Sequence, residues 1–242
     1  VLTDRFYNGD TSNDNSYNRK NSSDLPSVAT FHGGDIKGLT QKLDYLNSLG
    51  VNAIWITAPY EQIHGWVAGK NQAFPHYAFH GYYAQDWTFM DKNMGTVEEF
   101  RTFVNEAHKR GIRVVMDVVM NHTGYNTTED MITYGFGKTT QTQHGWIAQT
   151  NGKWDANVGN DWTSSDWGNW WGSWVRAFGG KFGFAPEVSV NSDPLKGSLA
   201  GLPDFVTEAT GTYNIPEFLK NKWAAEDNST FDNWRIPAAA NY

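Results

Sequence analysis

Apolar positions along the first half of the chain recur with the periods of helices and strands. Behind Asp35, five apolar residues share one helical face, and Gly50 is a natural end for that helix. These residues are Ile36, Leu39, Leu43, Leu46 and Leu49. The apolar, β-branched segment 51–57 follows and predicts a short strand.

A second helix is predicted behind Thr96, because Thr96 and Glu99 have the spacing of a capping box. Its apolar positions again share one face, and Gly111 marks its end. The segment Ile112–His122, which reads IRVVMDVVMNH, follows at once. It begins as an apolar run and ends in polar residues, so we expect a strand buried on both faces whose carboxyl end faces a cleft.

Residues 1–6 have the composition of the end of another strand, which completes the order strand, helix, strand, helix, strand. This order requires parallel pairing with crossover connections, and such folds collect ligands at the carboxyl ends of their strands. The segment 58–95, rich in aromatic residues and His, is predicted to be a long loop. After His122 the alternation stops, and a loop as long as 123–200 without structure is implausible, so it predicts an inserted subdomain.

These patterns predict an α/β fold that forms the N-terminal portion of a (β/α)8 TIM barrel. The chain shows about three strand–helix units, whereas a closed barrel needs eight. The predicted parts are 1–122 in the barrel, 123–205 as the subdomain inserted after the third strand, and 206–242 as the return to the barrel. A helix is expected over 215–226 in this last part.

Composition narrows the class of ligand. Aromatic residues make up 15% of the 242 residues, with 12 Trp, a surplus that suits flat, hydroxylated ligands but also fills cores. The Trp-rich stretch 162–174 could provide flat surfaces for such a ligand or form the core of a subdomain, and the core is the favoured interpretation. A net charge of −7 without a basic stripe argues against nucleic acid, and no apolar run has membrane-spanning length. The lack of Cys excludes thiolate metal sites.

The N-terminal loop is a candidate calcium site, because it carries four oxygen donors within seven residues. Calcium binds carboxylate and amide oxygens, and converging carboxylates repel each other unless a cation lies among them. The alternative is a solvated turn, since Asn-Gly is a common turn pair. The predicted ligands are Asn8, Asp10, Asn13, Asp14, Gly33 and Asp35.

Four motifs, in order along the chain, resemble those of the α-amylase family, glycoside hydrolase family 13. They are Asp4–Phe6, His80–Tyr83 with Asp86, Asp117–His122, and Leu202–Asp204. The resemblance, nearest to periplasmic bacterial members, implies retaining hydrolysis of internal α-1,4-glucosidic bonds of starch or maltodextrins by a periplasmic or secreted protein. Alternatives are a transglycosylase or pullulan-type hydrolase of the family, a calcium-stabilised carbohydrate-binding module without catalysis, and a barrel relative that serves a transporter.

The resemblance also implies roles for the residues near the predicted cleft. Tyr82 would stack under the reacting glucose ring of an α-glucan or maltooligosaccharide substrate, while His80 and His122 line the same subsite. Asp117 would be a buried brace for an arginine from a later strand, although an ordinary strand-end Asp that accepts backbone N–H groups is the alternative. The presence of Tyr82 and His122 argues against a transporter partner without a sugar subsite.

Two calcium assignments follow from the same resemblance. Asn121 and Asp204 correspond to ligands of the ion that joins the inserted domain to the barrel, which is an incomplete set. The N-terminal loop corresponds to the calcium loop of the cyclodextrin-forming members. Calcium is therefore the expected cofactor.

The catalytic carboxylates are not found in this sequence. Retaining glycosidases need two carboxylates about 5 Å apart, and the family places them on strands later than the third. No Gly-x-Arg-x-Asp segment occurs in residues 1–242. We therefore expect this polypeptide alone to be inactive, with the remainder of the catalytic domain as its partner.

Overall fold

The computed structural model describes residues 1–19, 29–68 and 75–124, together with Leu202 and four short strands beyond residue 147. The helices are α1 (Ile36–Gln41), α2 (Leu43–Ser48) and α3 (Val97–Lys109). The strands are β1 (Ala53–Ile56), β2 (Tyr60–Gln62), β3 (Val67–Ala68), β4 (Pro75–His76), β5 (Ala84–Met90), β6 (Arg113–Met116), β7 (Ala148–Thr150), β8 (Lys153–Asp155), β9 (Val175–Arg176) and β10 (Asp204–Phe205). Of the described helices, none is long and apolar enough to cross a membrane.

The parallel pair β1 and β6 is the strand–helix–strand unit that the sequence predicts. Ala53 lies opposite Arg113 and Ile56 opposite Met116, with α3 in the connection between them. The capping box that begins α3 is confirmed, because Glu99 N donates to Thr96 Oγ1 at 3.2 Å and Thr96 N donates to Glu99 Oε2 at 2.8 Å. One apolar core joins the three helices to this pair. It contains Ile36, Leu39, Leu43, Leu46, Ile54, Ile56, Phe100, Phe103, Val104, Ala107, Ile112 and Val114.

The expectation of a strand buried on both faces over Ile112–His122 is wrong in extent and in burial. The strand ends at Met116, and alternate residues are open to solvent, with Val115 46% and Trp55 61% exposed. The reason is that the described helices pack against only one face of the pair. Its other face has no cover within the described ranges.

Two helices replace the single helix expected over 36–49. Lys42, with φ −102° and ψ 8°, separates them, while its ammonium lies 3.9 Å from the centre of the Tyr7 ring. Four of the five expected apolar residues are buried, but Leu49 is 61% exposed, because the chain turns out of the helix at that point. Gly50 follows with a φ of +79°, in agreement with the predicted end.

Residues 1–6 do not form the expected end of a strand. Thr3–Arg5 is a 3-10 turn, and the buried Asp4 carboxylate accepts the backbone N–H groups of His32 at 2.9 Å and Gly33 at 3.2 Å. Its backbone oxygen accepts from Gly34 N at 2.9 Å. These bonds direct the segment towards residues 32–34 instead of along a strand.

The segment 58–95, expected to be a loop, contains an antiparallel pair of strands, β2 and β5. Residues of this pair form hydrogen bonds with the segment that follows β6. Trp87 Nε1 donates to Val119 O at 2.9 Å, and the Tyr60 hydroxyl accepts from Val119 N. Gly124 N donates to Ala84 O at 2.6 Å. Residues 117–124 are therefore held against this pair. Nearly all of the expected inserted subdomain 123–205, and the expected helix 215–226, lie outside the described residues.

A buried charge pair joins the N-terminal loop to the end of β5. Arg19 and Asp91 are 1% exposed each, with Nη1 of Arg19 2.7 Å from Oδ1 of Asp91. Arg19 also donates to Asn93 Oδ1 at 2.8 Å and to the carbonyls of Gln62 and Ile63 at 2.7 and 2.9 Å. Burial is tolerated here because charge and hydrogen bonds both compensate for lost water.

We expect Arg19→Met to lower the free energy of unfolding by about 3–5 kcal/mol, because it leaves the Asp91 carboxylate buried without its counter-charge. Urea denaturation followed by circular dichroism measures the change. The matched control is Arg110→Met, since Arg110 pairs with Asp44 and Glu106 at the surface, where ion pairs contribute little. Equal losses in the two variants would contradict the role given to the Arg19–Asp91 pair.

Candidate functional site

Three aromatic rings form a stack at the turn before β5. The centroids of His76 and His80 are 5.2 Å apart at an interplanar angle of 27°, and those of His80 and Tyr82 are 5.5 Å apart at 19°. The Tyr83 ring meets His80 edge-on at 4.4 Å. Tyr82 ends the stack and is 46% exposed. An open aromatic face is thus supported from behind by two imidazoles.

The turn fixes the tautomer of His80. Gly81 adopts a φ of +84°, and a Cβ there would lie 2.9 Å from Ala58 N, so the turn requires glycine. Tyr82 N donates to His80 Nδ1 at 3.0 Å, so in the neutral ring the proton lies on Nε2. Burial lowers the pKa of His80 to about 3, with a smaller contribution from His76. Nε2 is buried without a hydrogen-bond partner among the described residues.

His122 supplies a second imidazole close to Tyr82. Its side chain is 6% exposed, and its Nε2 likewise has no hydrogen-bond partner within the described part of the chain. Burial lowers its pKa, and an interaction with the Tyr82 backbone partly offsets this effect. The structure therefore brings together the three residues expected at the sugar subsite, as two neutral imidazoles beside an exposed tyrosine ring.

Residues that the sequence analysis did not select support this cluster from behind. His76 stacks on His80, and burial lowers its pKa, with a further contribution from Arg5. The Arg5 guanidinium lies 4.0 Å from the centre of the Phe79 ring, which meets His80 edge-on at 5.3 Å. Spacing in the sequence could not reveal this contact, because Arg5 and Phe79 are far apart along the chain.

The N-terminal loop brings the side chains of Asn8 and Asp14 against Gly33. Asn8 Nδ2 donates to Asp14 Oδ1 at 2.8 Å, and Oδ1 of both Asn8 and Asn13 is buried without a partner among the described residues. Gly33 has a φ of +88°, and a Cβ there would lie 2.3 Å from Asn8 Nδ2 and 2.6 Å from Asp14 Oδ1. Burial raises the pKa of Asp14, and the nearby Asp35 and Asp10 carboxylates raise it further. These unsatisfied oxygens fit a hard cation.

Two of the expected ligands in this loop have other partners. Asp35 caps α1 through Gly38 N at 2.6 Å, and it also accepts from Gly9 N, Asp10 N and Asn13 Nδ2 at 3.1, 2.9 and 3.0 Å. The Asp10 carboxylate accepts from Ser12 and Lys37, which lowers its pKa to about 2. The described residues contain no group of three or more His, Cys, Asp or Glu placed to hold a metal ion. The donors bound to Asp35 and Asp10 therefore offset part of the expected repulsion among the carboxylates of the loop.

The remaining predicted site residues are less constrained. Asp117 is half-buried instead of buried and forms no hydrogen bond with the described residues, because the strand ends before it and no described element covers it. Asn121 is exposed, with Nδ2 3.3 Å from His122 Nδ1. The side chain of Asp204 lies outside the described residues, although its backbone pairs with Arg176. The Trp-rich stretch 162–174 also lies outside them.

Comparison with known proteins identifies the family. The model of the α-amylase catalytic domain matches residues 1–178, and this chain belongs to that family. The family's catalytic domain is a (β/α)8 barrel, and the parallel pair joined through α3 agrees with that fold.

The chain spans less than half of the length of the relatives that it matches. The periplasmic α-amylase of Escherichia coli (strain K12) is 48% identical over 237 residues, covering 92% of this chain and 34% of that protein. An α-amylase of Saccharomycopsis fibuligera is 28% identical over 259 residues, covering 100% and 48%. A solved cyclomaltodextrin glucanotransferase superposes with a TM-score of 0.57 at 22% identity, covering 94% and 48%, and this likeness concerns the fold alone.

The lowered pKa of His80 predicts a specific dependence of stability on pH. An unfolded chain protonates His80 near pH 6.5, whereas the folded chain resists protonation down to about pH 3. This contribution to stability is complete above about pH 6.5 and is lost as the pH falls towards 3. We expect the loss in unfolding free energy between pH 7 and pH 4.5 to be smaller in His80→Gln than in the unsubstituted protein.

Urea denaturation of both proteins at the two pH values measures this difference. His32→Gln is the matched control, because the His32 side chain is exposed and is not part of the ring stack. A pH dependence unchanged by His80→Gln would show that the folded protein does not hold His80 neutral.

Proposed function

We propose that this chain is the N-terminal part of an α-amylase that cleaves internal α-1,4-glucosidic bonds of starch and maltodextrins with retention of configuration. The observation that carries the proposal is the arrangement of Tyr82, His80 and His122. An exposed aromatic face suits the apolar face of a pyranose ring. The buried Nε2 atoms of His80 and His122 have no hydrogen-bond partner among the described residues and suit sugar hydroxyls.

Each of these side chains has a distinct task in the proposed subsite. Tyr82 stacks under a glucose ring and sets its plane. His80 donates its Nε2 proton to a hydroxyl oxygen, since its Nδ1 already accepts from the Tyr82 backbone. His122 places its Nε2 atom at the same subsite. Because both imidazoles stay neutral, no charge has to be desolvated when a sugar covers them.

The bond-breaking residues are proposed to belong to the remainder of the catalytic domain. A retaining mechanism requires one carboxylate as nucleophile and one as acid/base, about 5 Å apart. Asp117, at the carboxyl side of β6, is proposed to orient an arginine of that remainder. In the same proposal, residues 1–122 belong to the barrel, 123–205 to a domain inserted after its third strand, and 206–242 to the return of the chain, in a periplasmic or secreted protein.

Calcium is proposed as the structural cofactor of the N-terminal loop. Asn8, Asn13 and Asp14 would hold it, with Gly33 providing the space, and the ion would neutralise the Asp14 carboxylate and fix the loop. Asp35 is proposed to shape the loop through its N–H donors. Asn121 and Asp204 are proposed as part of a second site between the barrel and the inserted domain.

The function is tested on the full-length protein that contains this chain. We expect it to release products from maltoheptaose that are first seen as the α-anomer by ¹H NMR, because double displacement retains configuration. Binding of maltoheptaose without any hydrolysis would instead indicate a carbohydrate-binding protein. Longer or cyclic products would indicate transglycosylation.

Replacing the sugar platform is expected to weaken substrate binding. Tyr82→Ala should raise the dissociation constant for maltoheptaose about 2- to 10-fold, which corresponds to a stacking contribution of about 0.5–1.5 kcal/mol. Isothermal titration calorimetry measures this change. Tyr45→Ala is the matched control, because Tyr45 is a 56% exposed tyrosine on α2, outside the ring stack. Equal affinities of the two variants would contradict the proposed platform.

The proposed calcium site predicts different effects on calcium affinity for two aspartates of the same loop. Asp14→Ala should weaken calcium binding by at least about tenfold, because it removes an oxygen that faces the loop interior. Asp10→Ala should leave the affinity nearly unchanged, because that carboxylate is bonded to Ser12 and Lys37. Calorimetric titration of protein stripped with EDTA measures both. A larger loss in Asp10→Ala would refute this arrangement of ligands.

A further inference from the structure

A single buried side chain controls which oxygens the N-terminal loop presents. Asn93 is 2% exposed, and its Nδ2 donates to the backbone oxygens of Asn13 and Asp14, both at 3.0 Å. Its Oδ1 accepts from Arg19 Nη1 at 2.8 Å. This amide therefore bonds on one side to the loop and on the other to the buried charge pair.

Because Asn93 binds backbone oxygens of the loop, side-chain oxygens of the loop remain for other partners. The carbonyls of Asn13 and Asp14 are directed to Asn93, and that of Asn13 also accepts from Ser16 Oγ at 2.8 Å. The side-chain Oδ1 of Asn13 is buried without a hydrogen-bond partner among the described residues. Asn93 thus fixes the two carbonyls, while the side chains of Asn8 and Asp14 lie against Gly33.

The same polar network continues to the ring stack. Arg19 Nη2 donates to Gln62 O at 2.7 Å, and Asp91 Oδ2 accepts from Gln62 N at 3.0 Å. The side chain of Gln62, 2% exposed, accepts from Tyr83 N through Oε1 at 2.7 Å. Tyr83 directly follows Tyr82 and meets His80 edge-on. Hydrogen bonds therefore run without a break from the N-terminal loop to the backbone of the sugar-binding cluster.

We propose that this network couples the two sites, so that a divalent cation in the N-terminal loop strengthens the binding of an α-glucan at Tyr82. Asn93 and Gln62 are the positioning residues of this coupling. The inference rests on the proposed function, because it needs both a cation site and a sugar site. A cation that draws the side-chain oxygens of the loop inward would favour the loop position that the bonds to Asn93 hold.

Coupling between sites is reciprocal, which provides a direct measurement. In the full-length protein, saturating calcium should lower the dissociation constant for maltoheptaose about tenfold, within the usual range of such effects. Saturating maltoheptaose should lower the dissociation constant for calcium by the same factor. Both constants are measured by calorimetry, with a catalytically slow analogue replacing maltoheptaose if hydrolysis interferes.

Gln62→Met decides whether the network carries the effect. This variant removes the acceptor for Tyr83 N, while the backbone of Gln62 keeps its bonds to Arg19 and Asp91. We expect nearly unchanged calcium affinity and a coupling factor close to one. A cation beside Asn121 would act on His122 without passing through Gln62, so an effect from that site would survive in Gln62→Met.

Two further variants complete the test. Lys37→Ala is the control, because Lys37 bonds to Asp10 of the same loop from the solvent side, and the coupling factor should persist. Asn93→Ala should weaken calcium binding and also abolish the coupling. If Asn93→Ala does not fold, Gln62→Met still decides.

The outcomes separate the coupling from the function on which it rests. Binding of both ligands with a coupling factor of one in the unsubstituted protein overturns the coupling alone. An undiminished factor in Gln62→Met overturns it as well. Absence of sugar binding in the unsubstituted protein overturns the proposed function and the coupling together, whereas absence of calcium binding overturns the calcium assignment and the coupling. A purely structural role of Gln62 would lower stability without changing the ratio of affinities.

Discussion

The buried ion pair between Arg19 and Asp91 is the constraint on which the described part of this protein depends. Burying an arginine to 1% exposure has a high desolvation cost, and five groups offset it here. They are one carboxylate, one amide, two carbonyls and the ring of Tyr17, 4.6 Å from the guanidinium. The pair draws residues from both sides of the first two helices to one point. The N-terminal loop and the β2–β5 pair are consequently held together at this point.

The proposed sugar-binding cluster of His80, Tyr82 and His122 illustrates the opposite use of burial. Around Arg19, charge is retained and neutralised by partners, whereas at His80 and His122 burial keeps the imidazoles uncharged. A neutral imidazole with one nitrogen occupied has a single fixed polarity at the other nitrogen. His80 therefore offers a donor of defined direction, which is what distinguishes one hydroxyl of a sugar from its neighbours.

Local patterns in the sequence predicted the elements whose causes are local. The capping box of Thr96 and Glu99, the turn at Gly50 and the apolar faces of the helices depend on residues a few positions apart, and the structure confirms them. The parallel pairing of β1 and β6 followed from the order of the elements. The exposure of Leu49 and Val115 could not be predicted, because it depends on which faces other parts of the chain cover.

The candidate site divides in the same way. His80, Tyr82 and His122 could be selected from motifs because their residue types carry the chemistry. The Arg19–Asp91 pair joins residues more than seventy positions apart, so no spacing rule indicates it. The distinction between Asp14 and Asp10 depends on three-dimensional contacts, because Lys37 and Ser12 bind the Asp10 carboxylate.

The open face of the β1–β6 pair has a consequence for the order in which the chain can fold. These strands lie about sixty residues apart in sequence, and closing a loop of that length costs about 3–4 kcal/mol of chain entropy. Trp55 and Val115 add apolar surface that the described helices do not cover. Within the described residues this surface stays open, and a nascent chain that exposes it is prone to misassociation. For such a chain, the yield of folded protein depends on how fast this face becomes covered as well as on the free energy of folding.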